Sequence, residues 1–263
     1  MLAITKVFMD FVLKEENGFS YIDEGEGEVL LLLHGLMGAL SNWERVINEF
    51  KDDYRIIIPM LPIYDLPLLT TGVKTLAKHV HRFVTYMDLK DFTLLGNSLG
   101  GHVGLIYCIN HPHPVKALVL TGSSGLYENA FGGSFPRRES YDFVKEKVEY
   151  TFYDPKTATK ELIDDVFQTI NDRNRVIRIL AMAKSAIRHN MGKELHKIHI
   201  PVLLIWGRND RITPPAVAIE FNNLLPNSEL HWIDQCGHAA MMEQPDEFNK
   251  LLRAFLERDK IKV

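Results

Sequence analysis

Cysteine is scarce: Cys108 and Cys236 are the two in 263 residues. They lie far apart and fit no metal-ligand spacing, which excludes a disulfide framework and makes a reducing cytoplasm the default compartment. Long apolar runs are missing too. No stretch approaches the roughly 20 residues that cross a bilayer. The opening stretch, MLAITKVFMDFVLKEE, is broken by Lys6, Asp10 and Lys14 and lacks a signal peptide's small-residue cleavage site. The expectation is a soluble, cytoplasmic protein with no membrane partner. Nor is one sign of charge dominant. Thirty Lys and Arg stand against thirty-four Asp and Glu, a net charge of −4, without the basic excess of a nucleic-acid binder. There is no internal repeat and no low-complexity tract.

What is there is an ordinary globular composition, 46% hydrophobic and 24% charged. The chain is long enough for a sizeable core without disulfide or metal staples. Residues 7–13 and 19–23 read as two short strands, with Asn17-Gly18 between them as a hairpin signal. Then the pattern changes to short apolar runs at 29–33, 55–60, 92–95, 117–120, 202–206 and 229–233, which read as strands buried on both faces. Helical stretches at 40–50, 73–87, 99–110, 216–225 and 246–256 alternate with them. Alternating β and α predicts an α/β fold with a mostly parallel, doubly wound sheet of about eight strands. One connection, 125–200, exceeds any simple crossover. Its helical patterns at 140–150, 159–170 and 174–188 predict a helical lid inserted after the sixth strand, leaving 1–124 and 201–263 as the core.

Chemistry enters at Leu94-Leu95-Gly96-Asn97-Ser98-Leu99-Gly100-Gly101-His102. The pattern G-x-S-x-G directly after an apolar run and directly before a helix is the context of a nucleophile elbow. Gly96, Asn97 and Gly100 form the turn, the glycines admitting close backbone approach, and the helix N-terminus places positive dipole beside a developing oxyanion. A serine hydroxyl needs a base. Of eleven histidines, His238 in Asp234-Gln235-Cys236-Gly237-His238 follows the last strand at the carboxyl edge, where open parallel sheets place their sites. Asp210, in Trp206-Gly207-Arg208-Asn209-Asp210, follows the preceding strand and supplies an orienting carboxylate. An Asx turn would use Asp210 equally well, and Asp234 ranks second for the role. Three residues at three strand ends in the order Ser, Asp, His carry more weight than any one alone.

A tetrahedral intermediate needs backbone N–H donors. Leu99 N–H is one candidate, and Leu36 N–H in His34-Gly35-Leu36-Met37-Gly38 the other, with Gly35 and Gly38 allowing close approach and His34 buttressing the loop. The pairs His79/His81, His111/His113 and His196/His199 lack an accompanying Cys, Asp or Glu set and read as solvated or capping. Trp206, Trp232, Met182, Met241 and Met242 read as packing, and residues 145–149 as a solvated helix face. No metal or cofactor is implied.

The stretches HGLMG, GNSLGG, WGRNDRITP and CGHAAMMEQPDEF resemble the α/β-hydrolase superfamily over nearly the whole chain, and the triad order is the one that family uses. The tail, with LVLTGSSGLYENAF and FYDPKTATKELIDDVFQTI, looks most like meta-cleavage-product hydrolases and related carboxylesterases. The former cleave carbon–carbon bonds in vinylogous 1,5-diketones. They generally carry Trp after the catalytic His, where Ala239 stands here, and a lid Arg that aligns with Val166, Arg173 and Arg175 lying nearby. The reading is a serine hydrolase with Ser98, Asp210 and His238 as triad, cleaving a small-molecule ester or similar acyl compound. The alternatives are C–C bond hydrolysis of a dienoate and non-catalytic ligand binding on a hydrolase scaffold. A homodimer is left open.

Overall fold

The computed structural model describes residues 6–8, 11–37, 40–129 and 137–260. In chain order the strands are β1 (Lys6–Phe8), β2 (Phe11–Glu16), β3 (Phe19–Glu24), β4 (Glu28–Leu33), β5 (Tyr54–Pro59), β6 (Phe92–Asn97), β7 (Val115–Thr121), β8 (Val202–Gly207) and β9 (Ser228–Ile233). The helices are α1 (Glu44–Phe50), α2 (Val73–Tyr86), α3 (Leu99–Asn110), α4 (Tyr141–Tyr150), α5 (Lys160–Asn171), α6 (Arg173–Arg188), α7 (Pro215–Leu224), α8 (Ala240–Glu243) and α9 (Pro245–Lys260). They form one sheet in the order β1-β2-β3-β5-β4-β6-β7-β8-β9. The first four in that order pair antiparallel, and the rest run parallel.

The apolar runs exist because the sheet is covered on both sides. Successive side chains of a strand point to opposite faces, so Leu31 and Leu33 pack with Val80, Phe83 and Val103 of α2 and α3. Leu30 and Leu32 pack with Trp43, Phe50 and Phe248 on the side of α1 and α9. β6 and β8 are buried at every position. α3 follows suit, buried from Leu99 through Cys108, and so lacks the polar face of a surface helix.

Two expectations change. Residues 7–13 are not one strand: β1 and β2 pair antiparallel with Phe8 opposite Phe11, residues 9 and 10 lying outside the described ones. The sheet thus has nine described strands, and the segment 125–200, expected to be an insertion, lies between β7 and β8. The last apolar run is half-buried rather than buried, Trp232 included, because β9 is the sheet edge and Ile233 alone is sequestered there. The insertion's helices start where short polar side chains satisfy their first N–H groups. Ser140 Oγ accepts from Phe143 N, Thr159 Oγ1 from Leu162 N, and Asp172 Oδ1 from Asn174 N and Arg175 N.

The chain moves from β4 outward to β5, then returns past β4 to β6. Reversal of winding between β4 and β6 opens a crevice beyond their carboxyl ends. Leu33 pairs with Gly96 across that junction, so the segments 34–37 and 97–98 emerge side by side.

Leu204 is fully buried in β8, between β7 and the edge strand, whereas Leu69 is fully solvated. Leu204→Ala is expected to lower the unfolding free energy by about 2–5 kcal/mol. Leu69→Ala is expected to change it by less than about 0.5 kcal/mol, both read from urea denaturation midpoints.

Candidate active site

Ser98 is the single residue between β6 and α3, at φ 53° and ψ −119°. A left-handed non-glycine residue costs about 1–3 kcal/mol and persists where its surroundings over-determine it. Here they do. Ser98 N donates to Thr121 O at 3.1 Å, and its carbonyl accepts from His102 N at 3.2 Å and Ser124 N at 3.1 Å. The flanking glycines are steric necessities. A Cβ at Gly96 would stand 2.5 Å from Gly101 Cα, and one at Gly100 would run into the Leu33 carbonyl.

His238 lies between β9 and α8. Its N–H donates to Thr151 O at 3.0 Å, its carbonyl accepts from Asn97 Nδ2 at 3.3 Å, and its Nδ1 lies 2.9 Å from Asp210 Oδ2. The Asp210 side chain is wholly buried, so each lone pair needs a donor. Oδ1 accepts from Ile212 N and Thr213 N at 2.8 and 3.0 Å, and Oδ2 accepts from Thr213 Oγ1 at 2.8 Å. The Asx-turn role and the imidazole-orienting position are therefore held by one carboxylate. Asp234 is turned away, exposed and paired with Arg208 at 2.6 Å. An acceptor-only carboxylate against Nδ1 sets the proton there and leaves Nε2 with its lone pair.

Charge around His238 is unusual. Burial, the largest influence, pulls its basicity down, but the charge and hydrogen bond of Asp210, with Glu128 and Glu243 behind, outweigh it and leave the pKa raised. Burial holds the carboxyls of Glu128 and Glu243 above the ordinary range. Glu243 Oε1 accepts from Gly237 N at 2.9 Å and Oε2 from Tyr153 N at 2.6 Å, so it ties the His238 loop to the turn after α4.

Across the crevice His34 is buried and neutral, burial lowering its pKa. Its Nε2 accepts from Leu61 N at 3.0 Å, which puts the proton on Nδ1, donating to Gly35 O at 2.9 Å. A trans peptide points its C=O and N–H in opposite directions, so fixing the Gly35 carbonyl aims Leu36 N–H away from His34. The Leu99 N–H, first in α3, has no intrahelical acceptor. Gly35 is close enough that a Cβ there would sit 3.3 Å from Ser98 Cβ; Gly38 lies outside the described residues.

Ser98 and His238 line one cavity of about 180 Å3 with Gly35, Leu36, Asn97 and Leu99. The insertion supplies much of the remaining wall, including Phe143, Val148, Leu162, Val166, Leu180 and Ala183. Met242 packs against the core as expected and also lines the cavity; Lys147 lines it too, contrary to the solvated face expected. Met182, Met241 and Trp206 are core as expected. Sequence reading missed Thr213, Gly122, Glu128 and Glu243. Thr213, three residues after Asp210, carried a legible signal in that spacing; Gly122 and Glu128 meet His238 across the fold, and Glu243 joins the nearby Gly237 N–H to the distant Tyr153 N–H. Gly122, at φ +51°, is needed because a Cβ there would stand 2.7 Å from His238 O and 2.9 Å from its Nδ1.

Other histidines stand elsewhere. His81 stacks on His111 at 3.7 Å and His102 Nε2 lies 3.0 Å from His189 Nδ1. Among the described residues no group of three or more His, Cys, Asp or Glu could hold a metal ion, and Cys108 and Cys236 are both free and buried. No described helix is long and apolar enough to cross a membrane.

An elbow serine after a central strand, with a carboxylate–imidazole pair at the next strand ends, is the arrangement of a serine hydrolase on a doubly wound sheet. The chain belongs to the α/β-hydrolase fold family, whose model matches residues 28–191 and 174–245, and is an enzyme of that class. It is 31% identical, over 90% of its length and 87% of the relative's, to a 2-hydroxy-6-oxo-6-(2'-aminophenyl)hexa-2,4-dienoic acid hydrolase of Metapseudomonas resinovorans. It is 28% identical, over 98% of its length and all of the relative's, to a 2-hydroxy-6-oxononadienedioate/2-hydroxy-6-oxononatrienedioate hydrolase of a Pseudomonas species. A solved α/β-hydrolase enzyme from the metagenome of lagoon sediments at Mar Chica, Morocco, is 46% identical with a TM-score of 0.78, covering 94% of this chain and 99% of that one.

The His238 ring is expected to titrate above the free imidazole value of about 6.5, read from the pH dependence of its NMR shifts. A raised folded pKa means this histidine stabilises the fold fully below the unfolded value, the contribution fading as pH rises through the folded one. Asp210→Asn removes the main charge opposing burial, and the titration midpoint is expected to fall.

Proposed function

We propose that the protein hydrolyses a carboxylic ester with an apolar acyl or alcohol group, through an acyl-enzyme on Ser98. The observation that carries this reading is the 2.9 Å contact between His238 Nδ1 and buried Asp210 at the wall of the cavity that Ser98 also lines. His238 Nε2 takes the proton as Ser98 Oγ attacks the carbonyl carbon. The oxygen becomes an oxyanion facing Leu36 and Leu99 N–H, and Asp210 stays ionised, stabilising the imidazolium. Collapse expels the alcohol, which takes the proton from His238. Water then repeats the sequence and releases the acid. The helices of the insertion act as the lid over this chemistry, their apolar side chains gripping the substrate.

A second reading, C–C bond hydrolysis of a dienoate diketone, is favoured by the names of the curated relatives, which include two dienoate hydrolases at 28% and 31% identity. The lining favours the ester. A dienoate carries a carboxylate that needs a cation, and no arginine is among the described lining residues. Val166 stands in the wall, Arg173 is exposed, and Arg175 lies over the Tyr64 ring. Lys147 is the lining cation besides His238, its ammonium held 5.5 and 5.8 Å from the Phe143 and Tyr150 ring centroids. Glu128 at the same wall opposes a second carboxylate. Ala239 lines the cavity where the C–C hydrolases generally carry Trp.

Graded p-nitrophenyl esters test the proposal. Turnover is expected for medium, apolar acyl chains, with kcat lowered about a million-fold in Ser98→Ala at unchanged thermal stability. Turnover surviving in Ser98→Ala would remove the serine from the chemistry. Absence of ester turnover, with serine-dependent release of a carboxylic acid from a dienoate diketone, would replace the ester reading with the second. Because the His238 pKa is raised and its neutral form is the base, kcat/KM is expected to rise with pH through a limb above about 6.5. Asp210→Asn is expected to move that limb to lower pH while the plateau falls about ten-thousand-fold, the tautomer being no longer fixed.

A further inference from the structure

α6 carries different chemistry on adjoining parts of its circumference. Ile179, Leu180 and Ala183 face the cavity. Arg173, Ile177, Lys184 and Arg188 are exposed, at spacings that hold them on one side of a helix of 3.6 residues per turn. Arg175 and Arg178 grip the neighbouring segment 60–72. Arg178 Nε donates to Leu66 O at 2.8 Å, and the Arg175 guanidinium lies 5.5 Å from the Tyr64 ring centroid. Ser185 Oγ accepts from Val73 N at 3.2 Å, which joins α2 to the same surface with Lys74 and Lys78 exposed. Lys74 lies near enough to His189, just past α6, to lower its pKa, though burial there is the larger cause.

Two features set this face apart from an ordinary solvated surface. First, it is rich in cations in a chain of net charge −4: neither residues 173–188 nor residues 66–87 contain an acid, Asp65 and Asp172 standing at its margins. Among the described residues none of these cations is ion-paired, in contrast with the paired cations elsewhere, such as Arg253 with Glu49 and Arg258 with Glu229. Second, the turn between α2 and the Arg178 anchor raises two adjacent leucines into water. Leu69 is 101% exposed and Leu68 48%, behind Pro67, which stiffens the turn. Single exposed leucines need no explanation, but an adjacent pair within a cationic surround does.

We propose that this face docks on the surface of an anionic lipid bilayer. Leu68 and Leu69 enter the boundary between headgroups and acyl chains, while the lysines and arginines of α2 and α6 meet the headgroup phosphates. Duplex nucleic acid would use the cations but gains nothing from a solvated leucine pair, so the bilayer is the favoured anion. The scarcity of long apolar runs excludes a spanning helix; lying on a surface needs none. Docking there places the cavity-lining helix α6 against the lipid, so apolar molecules dissolved in the membrane are presented to it.

The test is co-sedimentation of the full chain with vesicles of phosphatidylcholine alone or mixed with phosphatidylglycerol. The protein is expected to pellet with the anionic vesicles and to be released by salt. The pairs Leu68→Asp with Leu69→Asp, and Lys184→Glu with Arg188→Glu, are each expected to weaken partitioning by about tenfold or more. Melting temperature and turnover of a soluble ester are expected to stay unchanged in both. Equal partitioning to neutral and anionic vesicles, or binding that survives both pairs, would overturn the proposal. So would retardation of a DNA duplex that depends on Lys184 and Arg188 while vesicle binding is absent.

Discussion

The left-handed turn at Ser98 is the constraint around which the carboxyl edge of the sheet is arranged. β6 must pass from extended to helical backbone in one residue, and a non-glycine residue at φ 53° holds only if its neighbours leave no alternative. Gly96 and Gly100 let α3 lie directly against β6 and the Leu33 carbonyl, a separation no side chain would permit. α3 is then buried almost throughout, and that burial fixes the turn in place. The same packing brings the segment after β4 beside the serine, so the two N–H groups proposed for the oxyanion come from adjacent strand ends.

Electrostatics at the second and third strand ends follows from a different requirement. A carboxylate as buried as Asp210 survives only with its lone pairs satisfied, and the Asx turn with Thr213 satisfies three before the imidazole is counted. The carboxylate is thereby locked in orientation, and the imidazole facing it is locked with it. Gly122 makes room for the His238 ring, while Asn97 and Glu243 hold the histidine loop from either side. Asn97, beside the serine, is also bonded to Thr121 O, so Ser98 and His238 are referred to the same strand ends rather than to separate loops.

How much of this could be read from residues alone depended on the range of the interaction. Runs such as Leu30–Leu33 announce strands covered on both faces, because period-two burial on two sides leaves no polar positions, and the helical patterns at 140–150, 159–170 and 174–188 were equally local signals of α4, α5 and α6. That Ser98, Asp210 and His238 stand at one edge of the sheet was legible because each belongs to a short motif at a strand end. Thr213 was within reach from its spacing. Glu243 and Gly122 were not, since the role of Glu243 is defined by the Tyr153 N–H, 90 residues away, and that of Gly122 by the carbonyl and ring of His238. The apolar run at 229–233 misled because its periodicity does not say whether a strand is central or at the edge, and residues 7–13 hid a reversal inside a stretch that reads as continuous.

The insertion shows why a helix's sequence can understate its environment. α6 presents aliphatic side chains to the cavity, arginines to the segment 60–72, and a cationic row to water, so no single stripe summarises it. A helix that merely covered a cavity would be free to carry any solvated charges on its outer side, and mixed signs would serve solubility as well. An outer side of one sign, continued on α2 and flanking two exposed leucines, is a directional surface in an acidic protein. Its field adds to that of an approaching anionic layer only if the protein arrives α6 first. In the proposed docking, orientation at such a layer and access to the apolar cavity are set by the same helix, through adjoining sides of it.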